Sequence, residues 1–206
     1  MTEINRAEAN DSQDRRVRKT RKALRDALVE LILEKGYAAV TVGDIADRAD
    51  VGRTTFYAHF TDKDDLLLSG FAEMHEAPLR ASVETGIGRL VALARDMVTH
   101  ADKERRLYRA VFGYGGAGPL QARLAGELAS FLEDELGRAY PEAPPAKVTM
   151  AARMATTAFL GLIAWWLDGD EPLTGEAICQ AFEAFVMPAL TSMLGDASSP
   201  VGTLMA

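Results

Sequence analysis

The sequence predicts an all-α protein in two parts, a small three-helix unit over residues 15–65 and a larger helical domain over residues 66–195. Three observations carry this. Apolar residues recur every three or four positions along almost the whole chain. No convincing run alternates apolar and polar residues as a half-buried strand would. A tight break at Asp50-Val51-Gly52 separates two short amphipathic stretches near the N-terminus. With 206 residues, 48% of them hydrophobic, the chain can bury one large core or two small ones.

Residues 1–14 are polar, carry acids, and read as a disordered arm rather than a signal peptide. The first helix is expected from about Val17 to Lys35. Leu24, Ala27, Leu28, Leu31 and Ile32 form its inner stripe, and Gly36 stops it. Thr41 then caps a short helix, with Asp44 answering it as a shortened capping box. Val42, Ile45, Ala46 and Ala49 give that helix one apolar face. Gly52 is free to take positive φ or to cap the next helix, Arg53 to Phe60. Val51, Phe56 and Phe60 point inward there, leaving Arg53, Thr54, Thr55, Ala58 and His59 outward. A helix with an apolar back and a front of Arg, Thr and His suits a DNA major groove.

Thr-Val-x-Asp-Ile-Ala at 41–46, Ala-x-Val-Gly-Arg-x-Thr-Phe-Tyr at 49–57 and His-Phe-x-x-Lys-x-x-Leu at 59–66 stand in register. Together they resemble the helix-turn-helix of the TetR/AcrR family of bacterial transcriptional regulators. The resemblance covers about residues 15–70, with the helix-turn-helix at about 41–60. Two positions depart from the family pattern: Gly52, where a side-chain cap is common, and Ala58, where a larger residue often reaches DNA.

Chemistry gives each outward residue a role, and the resemblance implies the same use. Arg53 can fork onto a guanine edge or a phosphate. Thr54 and Thr55 can meet a phosphate or a thymine methyl, or Thr55 can bond back to its own helix. Tyr57 and His59 stand at the groove edge, and Lys63 opens the next helix, where a phosphate can be held. Thr41 and Val42 offer backbone N–H groups at a helix start. Arg18, Arg21 and Lys22 belong to a block, Arg15 to Arg25, with seven basic residues and no acid. That block reads as a phosphate footprint, or more plainly as a solvated helix face. The net charge of −7 divides into −1 over residues 1–65 and −6 beyond, so the acidic remainder would repel DNA.

Lys63 starts a longer helix carrying Leu67, Phe71 and Met74, with Pro78 bending or ending it. Further helices are expected over Ile87 to His100, Asp102 to Phe112, Pro119 to Tyr140, Ala146 to Leu167, and from the Thr174 cap to Leu194. Ala151, Ala152, Ala155, Ala158 and Gly161 would let helices approach closely. The family resemblance implies that the last two helices pair with their copies as a homodimer, through Phe159, Leu162, Trp166, Phe182, Phe185 and Leu190. Two-fold symmetry would then face a palindromic operator. The resemblance also implies a small-molecule effector in the second domain. Met97, Tyr108, Phe112, Tyr114, Phe131, Met154 and Trp165, with Arg153 or Thr157 as polar partners, would line its pocket, unless they are plain core. The tail from 196 to 206 reads as disordered.

The expected activity is that of a ligand-responsive, DNA-binding repressor. Leu162-x-x-Trp165-Trp166-Leu167 followed by Met187-Pro188 resembles members near dihydroxyacetone-kinase regulators, which implies a co-activator with a protein partner as an alternative. A rival from another class is an NAD(P)-binding enzyme, because Gly113-Tyr-Gly115-Gly-Ala-Gly118 fits G-x-G-x-x-G with Glu133 downstream. That fingerprint needs a strand before the glycines, and Leu107 to Phe112 would be its one candidate. His59, His75 and His100 lie far apart, so no metal and no cofactor is expected. Cys179 is the single cysteine, which fits a reducing cytoplasm, and no apolar run reaches the ~18 residues of a membrane span.

Overall fold

A computed structural model describes the backbone of residues 2–81, 87–112, 118–169 and 172–195, and the side chains of these segments apart from 2–13 and 74–81. Among the described residues every regular element is helical. The chain divides into two compact units, Met1–Glu73 and Met74–Ala206.

The first unit holds α1 (Thr2–Lys35), a 3-10 turn (Tyr37–Ala39), α2 (Val42–Arg48), α3 (Arg53–Tyr57) and the first half of α4 (Lys63–Ala81). α1 begins at Thr2 rather than Val17, so the stretch expected as a disordered arm continues the same helix. The physical reason is local: residues 2–16 contain no Gly or Pro and several strong helix formers. The core is the expected one. Leu24, Leu28, Ile32, Ile45 and Phe56 are almost wholly buried, as are Phe60 and Leu66.

The division between units falls inside α4, after Glu73, whereas the sequence placed it at 65/66. The half-turns beyond Lys63 belong with α1 and the 3-10 turn. Leu66, Leu67, Leu68 and Phe71 are buried, the Tyr37 hydroxyl donates to Asp64, and Glu73 meets Arg21 and Arg25. The backbone of α4 stays helical through Pro78.

The second unit contains α5 (Ile87–Lys103), α6 (Arg105–Phe112), α7 (Gly118–Ala139), α8 (Pro145–Asp168) and α9 (Gly175–Leu194). α8 packs along α7 and α9, and α5 lies against α9 and α7. The small residues do what their size allows. Ala151, Ala152 and Ala155 of α8 are buried in one cluster with Leu136, Ala139, Val186 and Leu190. The Thr174 hydroxyl accepts from the Ala177 N–H at 3.2 Å, which fixes the start of α9 as expected. Arg105 and Arg109 of α6 reach the Trp166 and Leu167 carbonyls at the end of α8, and the Arg105 guanidinium lies 4.7 Å from the Trp166 ring centre. Cys179 is buried, and burial pushes its thiol pKa up. By length and composition alone α8 and α9 could each cross a membrane, a property that the packed core helices of a bundle share.

The segment expected to serve as a strand in the dinucleotide reading, Leu107 to Phe112, is the body of helix α6. The glycines at 113–117 and the tail at 196–206 lie outside the described residues.

Candidate nucleic-acid interface

The interface is built from the turn outward. The Thr41 side chain accepts from the Asp44 N–H at 3.2 Å, while Asp44 Oδ2 accepts from the Thr41 N–H at 2.8 Å, a complete capping box. Lys35 comes to 2.8 Å of the same carboxylate. The Lys35 hydrogen bond first, and those from Thr41 next, hold the Asp44 carboxyl well below the usual carboxylate range. At the other end of α2, Arg48 spans Glu34 at 2.8 Å and Glu30 at 3.1 Å on α1. These pairs fix the angle at which α2 crosses α1.

Of the two uses expected of Gly52, the reversal takes the second. Gly52 has φ −70° and serves as the N-cap of α3, while the left-handed residue is Asp50, at φ 53°. A short polar side chain tolerates that region better than most, which lets the chain turn there without glycine. Gly52 O accepts from Thr55 N and Phe56 N at 2.9 and 3.2 Å, opening α3. α3 is shorter than the predicted Arg53–Phe60: it ends at Tyr57, and Ala58 and His59 form a turn.

α3 is two-sided. Phe56 is fully buried and its ring meets Tyr57 edge-on at 5.4 Å and Phe60 at 5.9 Å. Arg53, Thr54 and Ala58 are exposed, and Tyr57 is 59% exposed despite its size. Thr55 and His59 are half-buried, His59 with its ring 6.3 Å from Phe60. The Arg53 guanidinium folds across α2 at Gly43, where an added Cβ would lie 2.5 Å from Nη2. Gly43 was not singled out in the sequence. A glycine in the first turn of a short helix, where Ala would favour helix formation, was the signal available.

The remaining candidates separate into exposed and engaged groups. Thr41 is exposed at the start of α2, with Val42 half-buried beside it. Arg18 and Lys22 are exposed on α1, Lys22 with Asp26 at 2.5 Å. Arg21 turns inward: its guanidinium covers the Phe60 ring at 4.5 Å and reaches Glu73 at 3.1 Å. Arg25 shares Glu73. Burial raises the Glu73 pKa, but Arg25 and Arg21 outweigh it and leave it lowered. The block of seven basic residues therefore presents fewer cations to solvent than its sequence suggests.

Lys63 is also engaged. Its ammonium donates to the Tyr37 and Val40 carbonyls at 2.9 Å each and sits 4.3 Å from the Tyr37 ring centre. Burial lowers its pKa, against a smaller raising effect of Asp64. Two of its three N–H groups thus hold the 3-10 turn to α4.

In the second unit the sequence-based pocket is mostly displaced. An apolar cavity of about 50 Å³ opens among α5, α7, α8 and α9, and of the expected residues only Met97 lines it. Tyr108 and Phe112 are buried apart from it, with rings 5.7 Å from each other. Burial drives the Tyr108 pKa far up, reinforced by Asp96 and Glu104. Phe131 is half-buried and is not among the lining residues. Met154, Thr157, Arg153 and Trp165 face out, Met154 at 57% and Trp165 at 44% exposure, and Tyr114 lies outside the described residues. The reason is rotational: α8 turns its alanines toward α7 and α9, so the opposite bulky positions face away from the cavity.

The expected pairing residues divide into buried and outward ones. Phe159, Trp166 and Leu190 are buried within the chain, and Phe182 packs on Phe159 with ring centres 5.0 Å apart. The Trp166 indole N–H donates to the Leu173 carbonyl at 2.9 Å. Leu162 is half-buried, and Phe185, at 69% exposure, projects outward. Met150, Met154 and Trp165 on α8 are the other large apolar side chains exposed on these two helices.

A short helix with a buried aromatic back and an Arg-Thr-Tyr front, set by a capped helix and a tight turn, has the geometry of a helix-turn-helix. Residues 24–69 match the family model described as bacterial regulatory proteins, tetR family. The uncharacterized HTH-type transcriptional regulator YdeS of Bacillus subtilis (strain 168) is 36% identical over 114 residues, 52% of this chain and 54% of that protein. YxbF of the same organism is 44% identical over 55 residues, 26% of this chain and 14% of that protein. The chain thus spans from one seventh to about half of the length of these curated relatives. Among solved structures, a TetR transcriptional regulator from Streptococcus agalactiae 2603V superposes with a TM-score of 0.59 at 22% identity, covering 86% of this chain and 98% of that one. NalD of Pseudomonas aeruginosa, the secondary repressor of the MexAB-OprM multidrug efflux pump, gives 0.56 at 22% identity, covering 84% and 96%. At such identities the likeness is one of fold. Residues 24–69 thus carry the likeness to the tetR-family model, and over most of its length the chain shares the fold of TetR-type proteins.

Proposed function

We propose that this protein is a repressor that binds a palindromic operator as a homodimer and releases it when a small molecule enters the larger unit. The observation that carries DNA recognition is the front of α3, where Arg53, Thr54 and Tyr57 stand in solvent while Phe56 beneath them is fully buried. Exposing 59% of a tyrosine next to a wholly buried phenylalanine makes sense where another surface receives the ring and hydroxyl. Arg53 is the base or phosphate reader, with Tyr57, Thr54, Arg18, Lys22 and the Thr41 end of α2 as positioning contacts.

Support for pairing comes from the outward apolar side chains of α8 and α9. Support for a ligand comes from the cavity between α5, α7, α8 and α9. α4 is the covalent route between the units, because it runs through their division. The ligand can shift operator affinity by no more than its own preference between the two states.

The test is titration of the full chain into fluorescent DNA from immediately upstream of its own gene, with a scrambled duplex as control, at two salt concentrations. Preference for the upstream DNA supports the reading. Equal binding to both duplexes that vanishes as salt rises would reduce it to phosphate attraction. Arg53→Ala should weaken the preferred complex by about 1–3 kcal/mol and relax its sequence preference. Tyr57→Phe should weaken it without changing the oligomeric state. Adding a small-molecule extract of the source cells to the same assay reports ligand release separately.

A further inference from the structure

The cavity of the second unit is lined almost wholly by hydrocarbon, and its two polar residues are unequal. Thr156 is 3% exposed, and its Oγ1 is buried with no hydrogen-bond partner. A helical threonine usually satisfies its hydroxyl on the carbonyl one turn back, and leaving a buried hydroxyl unpaired is costly. Glu183 is the other. Its carboxylate accepts from Arg95 Nε at 2.8 Å, and Arg95 Nη1 also reaches the Glu176 carboxylate at 3.1 Å. One guanidinium therefore serves two carboxylates, and among the described residues no cation lines the cavity.

This arrangement selects by charge. An anionic head group entering the cavity would lose its water, meet Glu183 and find no counter-charge. A cationic head group would have to compete with Arg95, whose hydrogen bond to Glu183 raises the guanidinium pKa further. A neutral chain meets neither cost. A neutral oxygen placed at Thr156 would satisfy the orphaned hydroxyl, which can donate or accept. In size, about 50 Å³ corresponds to on the order of three or four water-sized occupants, so the chain is short.

We propose that the cavity binds a short, neutral aliphatic molecule with a single hydrogen-bonding oxygen, such as an alcohol or a ketone, its polar end on Thr156. This rests on the ligand-responsive reading above and names the class of ligand that reading requires.

The experiment compares 1-pentanol, pentanoate and pentylammonium, equal in chain length and different in charge, by ligand-observed NMR titration of the full chain. Pentanol is expected to bind at least tenfold more tightly than either ion. Thr156→Val, which replaces the hydroxyl by a methyl of similar size, is expected to weaken pentanol about fivefold to tenfold and to melt no lower than the parent. Thr156→Ser should retain most of the affinity. Tighter binding of pentanoate or pentylammonium would overturn the class and leave the ligand-responsive reading intact. Unchanged pentanol affinity in Thr156→Val would overturn the anchor. If no probe binds while the cell extract still releases operator, the class falls alone. If neither binding nor release occurs, both readings fall.

Discussion

Asp50 is the residue whose backbone bears most on the recognition turn, because φ 53° is a region that β-branched residues avoid. Asp50→Val should destabilise the first unit by about 1–2 kcal/mol, and Asp50→Gly should leave it at least as stable as the parent. Urea unfolding of the two variants side by side checks this, and equal stability of the two would contradict it. Asp44 contributes to the acid sensitivity of the same unit, alongside Glu34 and Glu73, whose pKa values are also lowered. The folded pKa of Asp44 lies below the unfolded value, so its contribution is present above about pH 4 and is lost as pH falls toward the folded pKa. Asp44→Asn should therefore narrow the difference between parent and variant melting temperatures as pH drops below about 4. A difference constant from pH 7 to pH 3 would exclude this linkage.

The helices themselves were the most legible level of the sequence. Thr41 with Asp44, and Thr174 before Ala177, marked two helix starts from local chemistry alone. The inner stripe of Leu24, Leu28 and Ile32 followed from spacing. What the sequence concealed depended on distant partners. Lys63 reads as a helix-start cation for phosphate, yet folding brings the Tyr37 and Val40 carbonyls to it. Arg21 reads as part of a basic face until Glu73 and Phe60 arrive beside it. The second unit shows the same limit. Met154 and Trp165 have pocket-like side chains, but which way α8 is rotated is decided by its alanines against α7 and α9. The Lys63 assignment separates two roles by measurement. Lys63→Met should cost about 1–2 kcal/mol of stability through its two lost hydrogen bonds. It should leave the slope of log affinity against log salt unchanged, where a direct phosphate contact would remove about 0.9.

At the scale of the whole molecule, the proposed homodimer gives two outward α3 helices a common two-fold axis, and its support lies far along the chain in Phe185, Trp165 and Met154. Phe185→Glu should convert the dimer to a monomer in sedimentation velocity at micromolar concentration while the helical circular dichroism is retained. Operator affinity should then fall steeply and become dependent on protein concentration. A Phe185→Glu variant that stays dimeric would place the pairing surface elsewhere.

The buried Cys179 thiol has one more consequence. A thiol with a raised pKa and only 4% exposure reacts with an alkylating reagent mainly when α9 lifts from its neighbours. As the chain's sole cysteine, it makes the mass gained per minute in iodoacetamide a clock for that opening. A ligand seated between α5 and α9 should slow the clock in proportion to how firmly it is held.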